Sequence, residues 1–296
     1  MTVTSAEDGS FSFGNIPYGT WYVREIEQPA GFVLDDTIYP VTIGADGQVV
    51  EIKIVNKYVR GNIHLTKVDS EYPDNKLTGA TFEVYKDSNA TGNLDDGDEL
   101  LGTLTEKEIG EYSMNDLFYG RYFVRETKAP EGFVLDTGVY EVMIDTNGKT
   151  YKVENKAGVG FVNDAMRGNL KIIKTSSDGK VKGFAFRITG ANGYDIILET
   201  NDKGEIFIDG LRIGDYTISE VSNSASSMYV IPADKKATVK LGSTTIVEMH
   251  NVLRDTPKTG DTTNLPLLYA LAGLSAAGIA VCGVIGFKKK KKEDRN

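Results

Sequence analysis

The chain has 296 residues, with 33 lysines and arginines against 42 aspartates and glutamates, for a net charge of −9. That length fits roughly two domains at about 100–200 residues each, and that charge argues against nucleic acid or an anionic membrane surface as a partner. The one cysteine, Cys282, lies inside a long apolar run near the C-terminus, so no disulfide can brace the residues before it.

The opening residues, Met1-Thr-Val-Thr-Ser5, show no basic region followed by an apolar core, which predicts that this is the C-terminal piece of a longer protein. Internal repetition then organises the chain. Tyr18-Gly-Thr-Trp-Tyr-Val-Arg-Glu25 precedes Pro29-Ala-Gly-Phe-Val-Leu-Asp35, and Tyr119-Gly-Arg-Tyr-Phe-Val-Arg-Glu126 precedes Pro130-Glu-Gly-Phe-Val-Leu-Asp136. Ile213-Gly-Asp-Tyr-Thr-Ile-Ser-Glu220 precedes Tyr229-Val-Ile-Pro232, so in all three copies a glycine stands at the same distance before a glutamate. A second element repeats as Gly61-Asn-Ile-His-Leu-Thr-Lys67 and Gly168-Asn-Leu-Lys-Ile-Ile-Lys174. These repeats predict a partial unit at 1–57 that lacks its first strand, and whole units at 61–163 and 168–251.

Each unit reads as β. Thr81–Tyr85, Tyr122–Val124 and Val139–Ile144 are rich in β-branched and aromatic residues, and clusters such as Asp145–Gly148, Asn201–Gly204 and Asp46-Gly47 punctuate the chain as turns. No window before residue 256 keeps a helical period. The stretch Asp87–Asp98 has oxygen-bearing side chains at spacings similar to a calcium loop, but its flanks read as strands and it is taken as a plain acidic loop. The two histidines, His64 and His250, read as packing residues on strands. No nucleophile–histidine–acid set, phosphate loop or zinc spacing stands out, so neither an enzyme nor a cofactor or metal is expected.

The C-terminal part has three pieces in order. A linker at 252–264 carries Thr256-Pro257-Lys258-Thr259-Gly260, an uncharged run spans 265–287, and residues 288–296 begin with five lysines. At about 1.5 Å per residue, a helix over that run crosses a hydrocarbon core of about 30 Å. The lysines mark the cytoplasmic side.

The pentapeptide, apolar span and basic tail together resemble the sorting signal of Gram-positive surface proteins, Leu-Pro-x-Thr-Gly, with Thr256 in place of the usual leucine. The resemblance implies that a sortase attacks the Thr259 carbonyl, cuts before Gly260 and passes the chain to peptidoglycan, after a transient stage as a membrane-held precursor. The repeats over 1–251 resemble the Cna-B (SpaA-type, prealbumin-like) units of Gram-positive adhesins and pilins, which implies all-β tandem sandwiches. In that family a lysine on the first strand and an asparagine on the last form an isopeptide bond, promoted by a buried acid. Carried over by position, Lys67 and Lys174 are the amines, Glu126 and Glu220 the acids, and Asn251 the amide of the last unit.

For the middle unit two amides remain open. Asn163 precedes Lys174 by the same interval that separates Asn56 from Lys67, and it shares the motif Asn-x-x-x-Arg-Gly. Asn155 instead follows its glutamate at nearly the interval of Glu25–Asn56 and Glu220–Asn251, which are equal. The repeated motif favours Asn163. The first unit keeps Glu25 and Asn56 but has no lysine before Glu25, so its lysine is expected on a preceding strand. The whole is read as a cell-wall-anchored adhesin stalk, with a minor or basal pilin as the alternative. Its expected partners are sortase, peptidoglycan, and either host extracellular matrix or other pilins.

Overall fold

A computed structural model describes residues 1–255. The sorting pentapeptide Thr256–Gly260, the apolar run 265–287 and the tail 288–296 lie outside the described residues. The N-terminal unit, through Tyr58, forms two small ladders. One pairs β1 (Gly19–Val23) with β3 (Tyr39–Ile43), and the other pairs β2 (Phe32–Val33) with β4 (Lys57–Tyr58).

The next unit contains β5 (Arg60–Asp69), β6 (Thr81–Lys86), β7 (Glu99–Thr103), β8 (Thr105–Glu108), β9 (Glu111–Phe118), β10 (Gly120–Lys128), β11 (Val139–Ile144), β12 (Thr150–Lys152) and β13 (Phe161–Asn163). One sheet has the order β11-β10-β6-β7; the other has the order β12-β5-β9-β8, with β13 also on β5. The last unit contains β14 (Arg167–Ser176), β15 (Ala185–Thr189), a short 3-10 turn at Ala191–Gly193, β16 (Asp195–Glu199), β17 (Glu205–Arg212), β18 (Gly214–Val221), β19 (Tyr229–Val230), β20 (Lys235–Val239) and β21 (Thr244–Leu253). Its sheets run β16-β15-β18-β20 and β17-β14-β21-β19. The described residues are all-β, as the sequence predicts.

Strand alternation builds each core. Along β5 the inward positions are Gly61, Ile63, Leu65 and Lys67, and along β14 they are Gly168, Leu170, Ile172 and Lys174. These rows face Phe82, Val84 and Val124 across one sandwich and Phe186, Ile188 and Ile218 across the other. The repeated glycine opening β10 and β18 has φ of +146° at Gly120 and +134° at Gly214. No atom lies within 4 Å of a Cβ placed at either position, so glycine is needed there for its backbone conformation and not for space.

The first strand is the hub of its sheet. Strand β14 holds β17 on one side and β21 on the other, and β5 likewise holds β9 and β12/β13. Unit 1 has no counterpart of that strand among the described residues. Accordingly 10–17, the counterpart of β9 and β17, and 48–56, the counterpart of β21, form no strand, and no residue from Met1 to Tyr58 is buried.

The units are joined by a repeated linker contact. Val59 donates its N–H to Gly31 O (2.8 Å) and accepts from Tyr119 N (3.0 Å); Met166 donates to Gly132 O (2.8 Å) and accepts from Ile213 N (3.0 Å). At the end of the third unit Arg254 donates to Met228 O in the same way, at 2.9 Å.

Candidate functional site: two buried lysine–glutamate–asparagine clusters

Lys67 and Lys174 occupy positions where the alternation of β5 and β14 calls for an apolar side chain. Their exposures are 0% and 1%. Glu126 continues the inward row Tyr122, Val124 on β10, and Glu220 continues Tyr216, Ile218 on β18, both on the sheet opposite the lysine. Asn251 follows Val247 and Met249 along β21. Each of these polar groups takes the place of the next apolar residue in its row, so they meet at one end of the core.

The register is the same in both units. The last strand runs parallel to the first, Lys67 lies opposite Phe161 and Lys174 opposite Met249, in each case two residues before the asparagine. In unit 2 Asn163 Nδ2 donates to Glu126 Oε2 at 2.8 Å and to Val134 O at 2.8 Å. Lys67 Nζ donates to Phe161 O at 3.1 Å and lies 5.5 Å from that residue's ring centroid. In unit 3 Asn251 Nδ2 donates to Glu220 Oε1 at 2.6 Å, while Lys174 Nζ donates to Thr175 O and lies 4.1 Å from the Phe184 ring centroid.

The electrostatics follow from burial. Desolvation pulls the Lys67 amine down to about 8, against the opposing pull of Glu126, Asp136 and Asp69; it lowers Lys174 as well, against Glu220 and Asp178. Burial raises both Glu126 and Glu220, opposed at Glu126 first by the Asp136 N–H and then by Asn163. Each cluster thus moves toward a neutral amine beside a protonated acid. The same pair of atoms is left without a hydrogen-bond partner in each unit: Glu126 Oε1 with Asn163 Oδ1, and Glu220 Oε2 with Asn251 Oδ1. Orphaned buried polar atoms are costly. Here an unpartnered acid oxygen accompanies an unpartnered amide oxygen both times.

Of the two amides open in unit 2, the structure brings Asn163 to Glu126. Asn155 is engaged elsewhere: it exchanges two hydrogen bonds with the Val162 backbone, at 2.6 and 2.8 Å, and donates to Asp136 Oδ2 at 2.6 Å. In unit 1 Asn56 Nδ2 lies 2.8 Å from both oxygens of Glu25, but the pair is only half-buried and among the described residues no lysine hydrogen-bonds to it. The histidines do not pack as the sequence reading expects. His64 Nε2 lies 2.8 Å from Glu111 Oε2, and the exposed His250 bonds Thr175 Oγ1 at 2.8 Å. In the loop after β6, Asp95 takes hydrogen bonds from Asn89 and Thr91, and among the described residues no three acidic or histidine side chains are grouped to hold a metal.

Sequence reasoning missed Asp136. Its N–H donates to Glu126 Oε2 at 2.9 Å and its Oδ2 accepts from Tyr140 at 2.8 Å; unit 1 repeats this with Asp35, Glu25 and Tyr39. The signal was the shared aspartate that ends Pro-x-Gly-Phe-Val-Leu-Asp.

The sequence profile of the SpaA prealbumin-like fold domain matches residues 1–58, 61–157 and 168–252. Among curated proteins the chain is 27% identical over 243 residues to the Trypsin-resistant surface T6 protein of Streptococcus pyogenes serotype M6, a match covering 81% of this chain and 38% of that protein. Among solved structures, the Bacillus anthracis TIE protein superposes with a TM-score of 0.63 at 26% identity, over 83% of this chain and 44% of that one. The chain therefore spans less than half the length of either relative.

Proposed function

The chain belongs to the SpaA prealbumin-like fold domain family, and from that premise we propose that it is the wall-proximal stalk of a Gram-positive cell-surface adhesin, with units 2 and 3 each braced by an internal isopeptide bond. The observation that carries this reading is the recurrence of a buried lysine, glutamate and asparagine in one strand register in two units.

The chemistry balances without a co-reactant. A neutral Lys Nζ attacks the asparagine Cγ while the protonated glutamate donates to the amide oxygen. The C–Nζ bond forms, the C–Nδ2 bond breaks, and the glutamate relays the proton from Nζ to Nδ2 as ammonia leaves. Folding supplies the proximity. The amide oxygen and the acid oxygen left unpartnered are the two atoms such a proton donation would satisfy. The roles are Lys67, Glu126 and Asn163 in unit 2, and Lys174, Glu220 and Asn251 in unit 3.

Anchoring rests on sequence alone. Thr256-Pro257-Lys258-Thr259-Gly260, the apolar run and the lysine tail make the chain a sortase substrate joined through Thr259 to peptidoglycan. Two relationships are consistent with a surface location: the name of the streptococcal relative and the family itself.

The test is the intact mass of the full chain as wild type, Glu126→Ala and Glu220→Ala. Loss of two ammonias from the wild type and one from each variant is expected. A wild type at full unmodified mass would leave an unbraced β-repeat spacer whose functional case is the sorting signal.

A further inference from the structure

Unit 3 reaches Asp69, beside the unit 2 cluster, through Arg212. Arg212, at the end of β17, grips Asp69 at the end of β5: Nη1 lies 2.5 Å from Oδ2 and Nη2 lies 2.7 Å from Oδ1. The same guanidinium donates to Glu71 Oε2 from Nη2 at 2.7 Å and from Nε at 3.1 Å. It lies 4.8 Å from the Tyr72 ring centroid and 5.9 Å from that of Phe133. Arg167, on β14, pairs with the other oxygen of Glu71. Asp69 is 1% exposed. A carboxylate that deep is tolerated with a fork-shaped cation on both oxygens and is costly without one.

Asp69 stands two residues beyond Lys67 on the same face of β5, directly opposite Asn163. The acidic groups that face Lys67 are Glu126 from β10, Asp136 from the loop beyond it, and Asp69. Asp69 is among the charges that pull on Lys67, two residues away on the same face, whereas the leading influences on Glu126 after burial are the Asp136 N–H, Asn163 and Lys67, so its bare charge would favour the ammonium–carboxylate pair over the neutral pair that reacts. Unit 3 supports this by contrast. There the residue two beyond the lysine and opposite the asparagine is Ser176, which is uncharged, and no arginine of a further unit is present among the described residues. The position of Arg212 in unit 2 is Phe118, whose ring meets that of Tyr58 edge-on at 5.4 Å across the first joint. Of the two joints among the described residues, the second alone pairs such a carboxylate with an arginine.

We propose that Arg212 is a positioning residue for the cross-link of unit 2: by neutralising Asp69 across the joint, it ties closure of the Lys67–Asn163 bond to the docking of unit 3. The inference rests on the cross-link reading above. It gives the stalk an order of assembly in which unit 3 folds, docks and then licenses its neighbour.

The test follows ammonia loss from each unit over time in full chain made by cell-free synthesis and transferred to buffers from pH 6 to 10, with proteolytic segments resolved by mass. Arg212→Gln should slow unit 2 roughly tenfold at neutral pH, the factor for a one-unit change in the balance of the two proton states. The gap should close above the Lys67 titration, and unit 3 should keep its wild-type rate, which also certifies that it folds. Adding Asp69→Asn to Arg212→Gln should restore unit 2. An unchanged unit 2 rate in Arg212→Gln overturns the proposal. So does a slowing that neither pH nor Asp69→Asn relieves, because that is the signature of a loosened interface alone. If the wild type loses ammonia from neither unit, the cross-link reading fails and this inference falls with it; if the wild type closes both bonds, only the role of Arg212 is at stake.

Discussion

Replacing Glu220 with glutamine keeps its volume and a hydrogen bond to Asn251 but removes the one group in that cluster able to carry a proton from Lys174 to Asn251. The cross-link it prevents closes the loop that runs from Lys174 to Asn251. With a chain-entropy loss of about 2.1 + 1.5R ln n cal/mol/K, that loop is worth about 4–5 kcal/mol at room temperature. A domain of this size shifts by roughly 4–8 °C per kcal/mol, so unit 3 of Glu220→Gln should unfold roughly 20–35 °C below the wild type. A second signature separates the lost bond from a lost hydrogen bond. The open variant retains a buried amine whose pKa in the folded state lies below its unfolded value, chiefly through desolvation. The unfolded chain then binds more protons, so stability rises with pH through the window between the folded value and about 10.4. The wild type, once that amine is tied up in the proposed amide, should show no such gain. Calorimetry from pH 7 to 10.5, with intact mass on the same samples, reads both effects. A variant shown by mass to lack the bond yet melting within a few degrees of the wild type would refute the argument.

Three further outcomes are expected. The reactive state of unit 2 holds a single proton, on Glu126, with Lys67 neutral; its population, and with it the initial rate of ammonia loss, should fall about tenfold per pH unit above the Lys67 value of about 8. A rate that keeps climbing past pH 9 would remove the acid from the mechanism. Asn163→Ala should abolish ammonia loss from unit 2 in a peptide mass map, whereas Asn155→Ala should leave it intact and destabilise the turn that Asn155 pins to Val162 by about 1–3 kcal/mol. In hydrogen exchange, 10–17 and 48–56 should exchange at the rates of open chain while 111–118 and 244–251 are protected; protection of both unit 1 segments would mean that they pair without a hub strand.

The β architecture and most of the cluster were legible because both are written locally. Gly120 and Glu126 sit on one strand, and a lysine at the fourth inward place of Gly61-Asn-Ile-His-Leu-Thr-Lys67 is visible as a charge in an apolar row. The ambiguity over the middle amide had a physical source. In unit 3 the last strand pairs without interruption, Thr244 with Asn169 through Asn251 with Ser176. In unit 2 it pairs as Thr150–Lys152 with Asn62–His64 and resumes as Phe161–Asn163 with Lys67–Asp69. The segment 153–160 thus stands opposite Leu65 and Thr66 alone, and the strand carries the surplus as an insertion. That insertion lengthens the glutamate-to-asparagine spacing from the 31 of Glu220–Asn251 to the 37 of Glu126–Asn163. It also places Asn155 near the expected count by coincidence. The Arg212–Asp69 clamp was illegible for a different reason. Its partners are 143 residues apart, and nothing local distinguishes Arg212 from any other strand-end arginine. Unit 1 shows the converse: 10–17 and 48–56 carry strand-like sequence, yet a strand exists only when its partner does.

The placement of the cross-link determines which residues would bear load. With both proposed cross-links in place, tension entering at Arg60 would run along β5 to Lys67, cross to Asn163, leave through Met166, and repeat from Arg167 to Lys174 and Asn251. The strands between lysine and asparagine, β6 to β12 in unit 2, hang off that path. Because β5 and β13 are parallel neighbours, an unbraced unit must resist by shearing their few hydrogen bonds, and once those part the whole loop is released. At about 3.3–3.6 Å per residue, the loop between Lys67 and Asn163 adds roughly 320–350 Å of contour length. Single-molecule pulling on the full chain should therefore show a step of that size from unit 2 in Glu126→Ala and none from unit 2 in the wild type. A wild-type step of the full loop length would mean that force travels through the β6–β12 strands. A bond between Lys67 and Asn163 could not then be bracing the stalk.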